Sequence, residues 1–428
     1  MIENCLISDR HLVDYLKKKL DDIKFIGFSK SLQTKELVKG LSGEIALEPR
    51  DKLLDIWKNL LGDAIVFLKG KDERETHHDE EIYGVDSLCK YFEKLQHFEG
   101  VLFGTVPYYR DHVTHTLRVF LLGEYVIKEA IGFENVDSDD AFLGEERRIS
   151  ADEKEAVWAI IALCHDLGYP LESIRSLSES ARDMLQQFGR LSVQELTYGL
   201  SPQFHTISEF VLRFIGSSLE RTDKSDEFAV HVQPKYFIKF ANALDEYDHG
   251  VMSCLVLMKK LVYFLESDFT TDSLKFLDEM DARQYLIRRT ILRAIASHDC
   301  EEIYHLKINN FPFLLLVCDE MQEWSRPRLV DVFRRSIPSS KLTINKLDQK
   351  NVSYEIEFYC ENPIESDITE DIKNYFERKK RKFIKVLRSA VGGEYRDLHL
   401  FFRVVDKTTP TVKKYELDHE RPDRVKDD

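Results

Sequence analysis

The chain has no cysteine pair at the spacing of a zinc knuckle or a redox motif. Its seven cysteines (5, 89, 164, 254, 300, 318 and 360) are scattered, odd in number and without a CxxC. That argues against a disulfide framework and for free buried thiols in a reducing compartment, so the expected location is cytoplasmic. No apolar run approaches the ~18 residues a membrane span requires, and no membrane partner is expected. Met1-Ile2-Glu3-Asn4 lacks the basic-then-apolar pattern of a signal peptide. Positive charge is short too. The net charge of −15 makes nucleic acid an unfavourable partner, because broad binding to it needs a basic surface. A local basic pocket for phosphates remains compatible with that balance. Internal repeats and low-complexity tracts are absent.

What is present is a chain of 428 residues, ample for a large core, with 43% hydrophobic and 32% charged residues. The apolar spacing of Asp9–Ile26 and Lys52–Phe67 follows the helical period, so residues 1–100 read as a polar, helical extension. The run KGKDERETHHDE, with His77-His78, reads as a solvated loop. Residues 101–335 read as a long helical body, with helices over 113–131, 151–167, 171–188, 205–219, 235–246, 249–266, 281–297 and 311–324. Ser150 and Glu153 form a capping-box pattern at one helix start, and Gly168-Tyr169-Pro170 reads as a helix stop. Beyond residue 336 the pattern alternates with a period of two over Lys341–Tyr359, 398–405 and 411–417, around a basic amphipathic helix at 366–390. The expected fold class is therefore mainly α, with an all-helical core, an N-terminal helical extension and a small C-terminal α+β module over 336–428.

The chemistry gathers around histidines. His165-Asp166 ends the apolar run Ala156–Cys164, and His115 lies fifty residues earlier. His205, His249 and His298-Asp299 follow, and Asp319 closes the run Phe313–Cys318. Imidazoles bind borderline divalent metals, and a carboxylate can bridge two of them. A carboxylate at the end of so apolar a run is costly to bury unless it is paired or bound to metal.

In order and context (HxLxV at His115, apolar-HDLG at His165, HG at His249, apolar-CDE at Asp319), residues 100–330 resemble the HD-domain metal-dependent phosphohydrolase superfamily. The resemblance does not obviously cover the first 100 residues or the C-terminal module. It implies an HD-type helical core and a metal site of His115, His165, Asp166 and Asp319, with Asp166 bridging where a second metal binds. It places His205 and His249 among further ligands or proton carriers, with His298 as a third candidate for catalytic work. One or two divalent ions per chain (Mn, Fe, Mg, Co, Ni or Zn) are the expected cofactor. The implied activity is hydrolysis of a nucleotide, foremost a (deoxy)nucleoside triphosphate, through metal-activated water. A two-metal cyclic (di)nucleotide phosphodiesterase is the alternative, followed by a single-strand nuclease or a non-catalytic nucleotide sensor. A nucleotide effector and a homo-oligomer are compatible with the additional segments.

Phosphate needs cations, and Arg110, Arg118 and Arg326 are the substrate-binding candidates, with Arg328 close by. Arg118 is three residues from His115, so both can share one helix face. His112 reads as structural, Asp299 as a capping or surface residue, and Arg378-Lys379-Lys380-Arg381-Lys382 as a solvated helix face. An anionic effector, a nucleic-acid end or a partner is the sharper reading of that basic run.

Overall fold

The computed structural model describes residues 1–28, 33–70, 84–103, 111–141, 143–186, 202–222, 227–265, 276–300, 302–303, 309–325, 339–360, 367–387 and 399–418. The helical body is built around three apolar helices. His112–Val126, Ala151–Cys164 and Phe311–Met321 are buried along almost their whole length, including polar residues such as His115, Arg118, Glu124, Lys154 and Glu155. Glu279–Ser297, His249–Lys260 and Arg50–Gly70 pack around them.

Local sequence sets where these helices begin. Asp111, Ser150, Asp248, Asp278 and Asn310 each cap a helix by accepting from a backbone N–H of its first turn. At Ser150 the capping box is complete, with Glu153 reaching back to the Ser150 backbone. Gly168-Tyr169-Pro170 does more than stop a helix. Pro170 lies in the first turn of the next one, Tyr169–Gln186, where its missing N–H costs nothing.

The all-helical expectation is corrected on three counts. Residues 1–100 do not begin as a helix, because Ile2–Ile7 forms a strand, β1. The helical body contains a hairpin, β2 (Ser217–Arg221) and β3 (Phe228–Val232), where a single helix over 205–219 was expected. That helix, Pro202–Ile215, stops one residue before Gly216, where a Cβ would lie 2.8 Å from the Leu212 carbonyl oxygen. Third, a mixed five-stranded sheet joins the two ends of the sequence. It has the order β1-β4-β5-β6-β7, with β4 at Ser339–Leu347, β5 at Asn351–Tyr359, β6 at His399–Lys407 and β7 at Lys413–Asp418. β5 and β6 are parallel and the other pairs antiparallel.

A parallel pair needs a crossover, and the segment between β5 and β6 contains the Asp367–Leu387 helix. Phe376 and Phe383 pack on Phe402 of the sheet. Tyr375 and Lys379 of the same helix reach the helical body, at Glu323 and Glu320. The basic run is therefore split. Arg378 and Arg381 are exposed, whereas Lys379 is buried and Lys382 half-buried.

Asp9 ties the first helix, Asp9–Lys19, to this body. It accepts from Arg118 Nε at 2.8 Å and Nη2 at 2.7 Å, from Trp324 Nε1 at 2.8 Å and from the Ile45 N–H at 3.2 Å. Asp9→Ala would strand the buried guanidinium. We expect a loss of about 3–5 kcal/mol, measurable by denaturant unfolding, and a loss under about 1 kcal/mol would contradict this role.

Candidate metal centre

The elements converge so that helix ends meet at one point. His165 and His298 are the C-cap residues of Ala151–Cys164 and Glu279–Ser297, and Asp319 lies in the last turn of Phe311–Met321. Helix C-termini carry partial negative charge, so three helix ends favour a cation here. His115 comes from the first turn of His112–Val126, and His249 is the first residue of its helix.

At the centre lies Asp166, 6% exposed. Its Oδ2 lies 3.4 Å from His115 Nε2 and 3.9 Å from His112 Nε2. Its Oδ1 lies 3.4 Å from His165 Nε2, 3.5 Å from His249 Nε2 and 3.8 Å from His298 Nε2. Asp319 Oδ1 sits 3.0 Å from His115 Nε2 and 4.0 Å from His165 Nε2. The donor atoms of His115, His165 and Asp319 form one compact group, and those of His165, Asp166 and His298 form another. Both groups can hold a metal ion, and they share His165.

The far side of each ring fixes its tautomer. Nδ1 of His165 lies 2.9 Å from the Ala162 carbonyl and that of His298 lies 2.6 Å from the Ile295 carbonyl. A carbonyl only accepts, so both Nδ1 atoms carry a proton, and in the neutral ring the Nε2 atom then holds the lone pair a metal needs. His115 Nδ1 faces Gln322 Oε1 at 2.7 Å, and Gln322 Nε2 donates to the Trp324 carbonyl, which orients the amide. Ligating histidines are characteristically held in this way. His165 Nε2 is fully buried with no hydrogen-bond partner, and the donors aimed at it suit a divalent ion of the Mn-to-Zn series.

Close backbone approach brings His249 in. A Cβ at Gly168 would lie 2.3 Å from the His249 carbonyl oxygen, and one at Gly250 would lie 2.6 Å from the Ile295 carbonyl oxygen. Ser253 Oγ accepts from the Gly168 N–H at 2.7 Å and lies 2.6 Å from the His165 carbonyl, pinning the His-Asp turn to this helix. His249 Nε2 is 3.1 Å from His298 Nε2, while its Nδ1 faces Glu172 at 2.8 Å and Asp299 at 3.2 Å.

The electrostatics follow. Burial pushes the Asp166 carboxyl up, but the surrounding imidazoles, His165 first, hold it well below the ordinary carboxylate range. Burial opposes charge on His249, yet Asp299, Glu172 and Asp166 raise it well above the usual histidine value. Burial, then the neighbouring His249 and His165, push His298 down to about 3. The 3.1 Å contact between the two Nε2 atoms therefore favours a proton on the His249 side over the His298 side.

The structure thus brings together His115, His165, Asp166, Asp319, His249 and His298. His205 stays out: it is exposed, near the start of Pro202–Ile215. Arg118 is corrected as a substrate-binding residue, since its fork is taken up by Asp9 and the Ser325 carbonyl. Arg110, Arg326, Arg328 and His77-His78 lie outside the described residues. His112 and Asp299 do belong to the cluster, and Glu172, Gln322 and Ser253 carried no signal in the sequence. Among the described residues no helix is long and apolar enough to cross a membrane. No family model matches the chain, and no curated protein or solved structure matches it either.

Two measurements check this centre. The pKa of His249 is raised in the fold, so its contribution to metal-free stability is complete below the ordinary value of 6.5 and fades as pH climbs through the folded value. Asp166 and Asp299 are depressed, so theirs is present above the ordinary 3.8 and is lost on acidification through their folded values. Metal requires neutral imidazole, so uptake releases protons and strengthens as pH rises. Thermal melts between about pH 5 and 9 should show Tm of metal-free protein declining on the alkaline side, and Mn²⁺ raising it most there. A metal-free Tm that is flat across that range speaks against the assignment. Separately, Gly168→Ala should push the His249 turn away, costing about 1–3 kcal/mol and reducing metal content per chain. Unchanged stability and metal content would show that the contact tolerates a methyl group.

Proposed function

We propose that this protein is a divalent-metal-dependent phosphohydrolase acting on a nucleotide, with a (deoxy)nucleoside triphosphate as the first substrate class. One observation carries the metal-dependent reading, for either substrate class: Asp166 turns each carboxylate oxygen to a different set of imidazoles, as a carboxylate bridging two cation positions does. A bound metal would supply a water nucleophilic at neutral pH and Lewis acidity at phosphorus.

The protein's own groups do the rest. His115, His165, Asp166 and Asp319 present their donors to one position, and Asp166 and His298 present theirs to the other, beside His249. The carbonyls behind His165 and His298 place the proton of the neutral ring on Nδ1 and aim each Nε2 inward. His249, held at Nδ1 by Glu172 and Asp299, turns Nε2 toward that second position and can complete it once Nε2 has given up its proton.

A second reading, a two-metal cyclic (di)nucleotide phosphodiesterase, is favoured by the separate group of His165, Asp166 and His298. Product analysis distinguishes them. The first releases inorganic triphosphate or phosphate from nucleoside triphosphates, and the second releases linear monophosphates from cyclic substrates. Purified protein loaded with Mn²⁺ or Mg²⁺ is expected to turn over one of the two classes. Asp166→Ala is expected to remove both bound metal and turnover. Turnover that persists in that variant, or inactivity of metal-loaded protein on every nucleotide, would refute the proposal.

A further inference from the structure

The basic run of the C-terminal module meets the helical body at two carboxylates. Lys382 Nζ lies 3.1 Å from Asp299 Oδ1 and 2.9 Å from Glu320 Oε1. Lys379 Nζ lies 2.9 Å from the other Glu320 oxygen, Oε2. Glu320 follows Asp319, and Asp299 follows His298. The remaining oxygen of Asp299, Oδ2, faces His249 Nδ1 at 3.2 Å. A chain of contacts therefore runs from an ammonium on the module to an imidazole of the metal centre.

We infer that Lys382 is a positioning residue for His249: its ammonium fixes Asp299, and Asp299 fixes the imidazole that completes the second metal position. The inference rests on the two-position reading of the centre given above.

Three features favour this over an ordinary ion pair. The first is placement. An exposed pair is worth little because water competes for both partners. Here the Lys382 side chain is 19% exposed and bridges two carboxylates on different segments of the body. The second is redundancy. Glu320 keeps Lys379 if Lys382 is lost, whereas among the described residues Lys382 is the only lysine or arginine within ion-pair distance of Asp299. Loss of Lys382 should therefore be felt at His249 and much less at Asp319. The third is direction. A carboxylate anchored at one oxygen offers the other at a fixed place, which sets both the tautomer and the plane of the ring it receives. Glu172 also reaches Nδ1, at 2.8 Å, but its side chain is 40% exposed and no cation holds it among the described contacts. Of the two acceptors, Asp299 is the anchored one.

The test uses full-length protein stripped of metal and titrated with Co²⁺. Visible absorption reports ligand geometry, and chelator competition gives affinities. Wild-type protein should take up two ions. Lys382→Met should leave the tighter site within ~3-fold and weaken the other by about 10–100-fold, the range seen when a partner behind a metal ligand is removed. Lys382→Arg, which keeps the charge, should recover most of the loss. Asp299→Asn should weaken the same site, and the double variant Lys382→Met/Asp299→Asn should be no weaker than Asp299→Asn alone, because the lysine acts through the aspartate. If the methionine variant does not fold, Lys382→Gln is read against the same expectations. Unchanged Co²⁺ binding in the folded lysine variant overturns the inference, as do additive effects in the double variant. Wild-type protein that holds a single ion overturns it while leaving a metal centre in place, and one that holds none removes the metal-centre reading itself.

Discussion

Asp166 carries a carboxylate into the interior of the helical body, where an uncompensated ion would cost several kcal/mol. Ring nitrogens of His112, His115, His165, His249 and His298 lie 3.4–3.9 Å from its oxygens. Much of the surrounding architecture answers to this one charge. Aspartate and asparagine caps set where helices start, so that His115 and His249 fall in their first turns. Gly168 and Gly250 let backbones approach more closely than a side chain allows. Ser253 holds the turn that carries Asp166 against the helix that carries His249. Among these rings, carbonyls hold Nδ1 of His165 and His298, while the carboxylates of Glu172 and Asp299 favour positive charge on His249.

The clustering of these polar residues was more legible in the sequence than the topology. His165-Asp166 and Asp319 stood out because polar ligands at the ends of apolar runs need a reason to be there. His249 and His298 were recognisable by their neighbours. His205 was misread because a histidine near a helix start does not disclose which way that helix faces. Asp299 looked like a cap because its partners, His249 and Lys382, are far away in sequence. The same blindness hid Gln322, Glu172 and Ser253, whose roles are defined only by what faces them. Arg118 shared a helix face with His115, but periodicity could not reveal Asp9 waiting at the other end.

The strands failed for a related reason. Ile2–Ile7 is short and pairs only with Ser339–Leu347, a partner no local pattern announces. The start of β2 was absorbed into the helix expected over 205–219, because Phe214-Ile215 extends the preceding apolar spacing across Gly216, and β3 was not anticipated. By contrast, β5 alternates buried and half-buried throughout, β4 does so just before an irregularity between Ile344 and Lys346, and a short turn joins them, so their pairing could be read locally.

The pairing of β1 with β4 has a consequence for biosynthesis. A ribosome adding 5–20 residues per second needs tens of seconds to cover the roughly 330 residues between the two strands. During that interval the first strand is made but its hydrogen-bonding edge has no mate, so the nascent polypeptide must shield it or engage a chaperone. Pairing across so long a stretch of chain is non-local closure, which is slow to form.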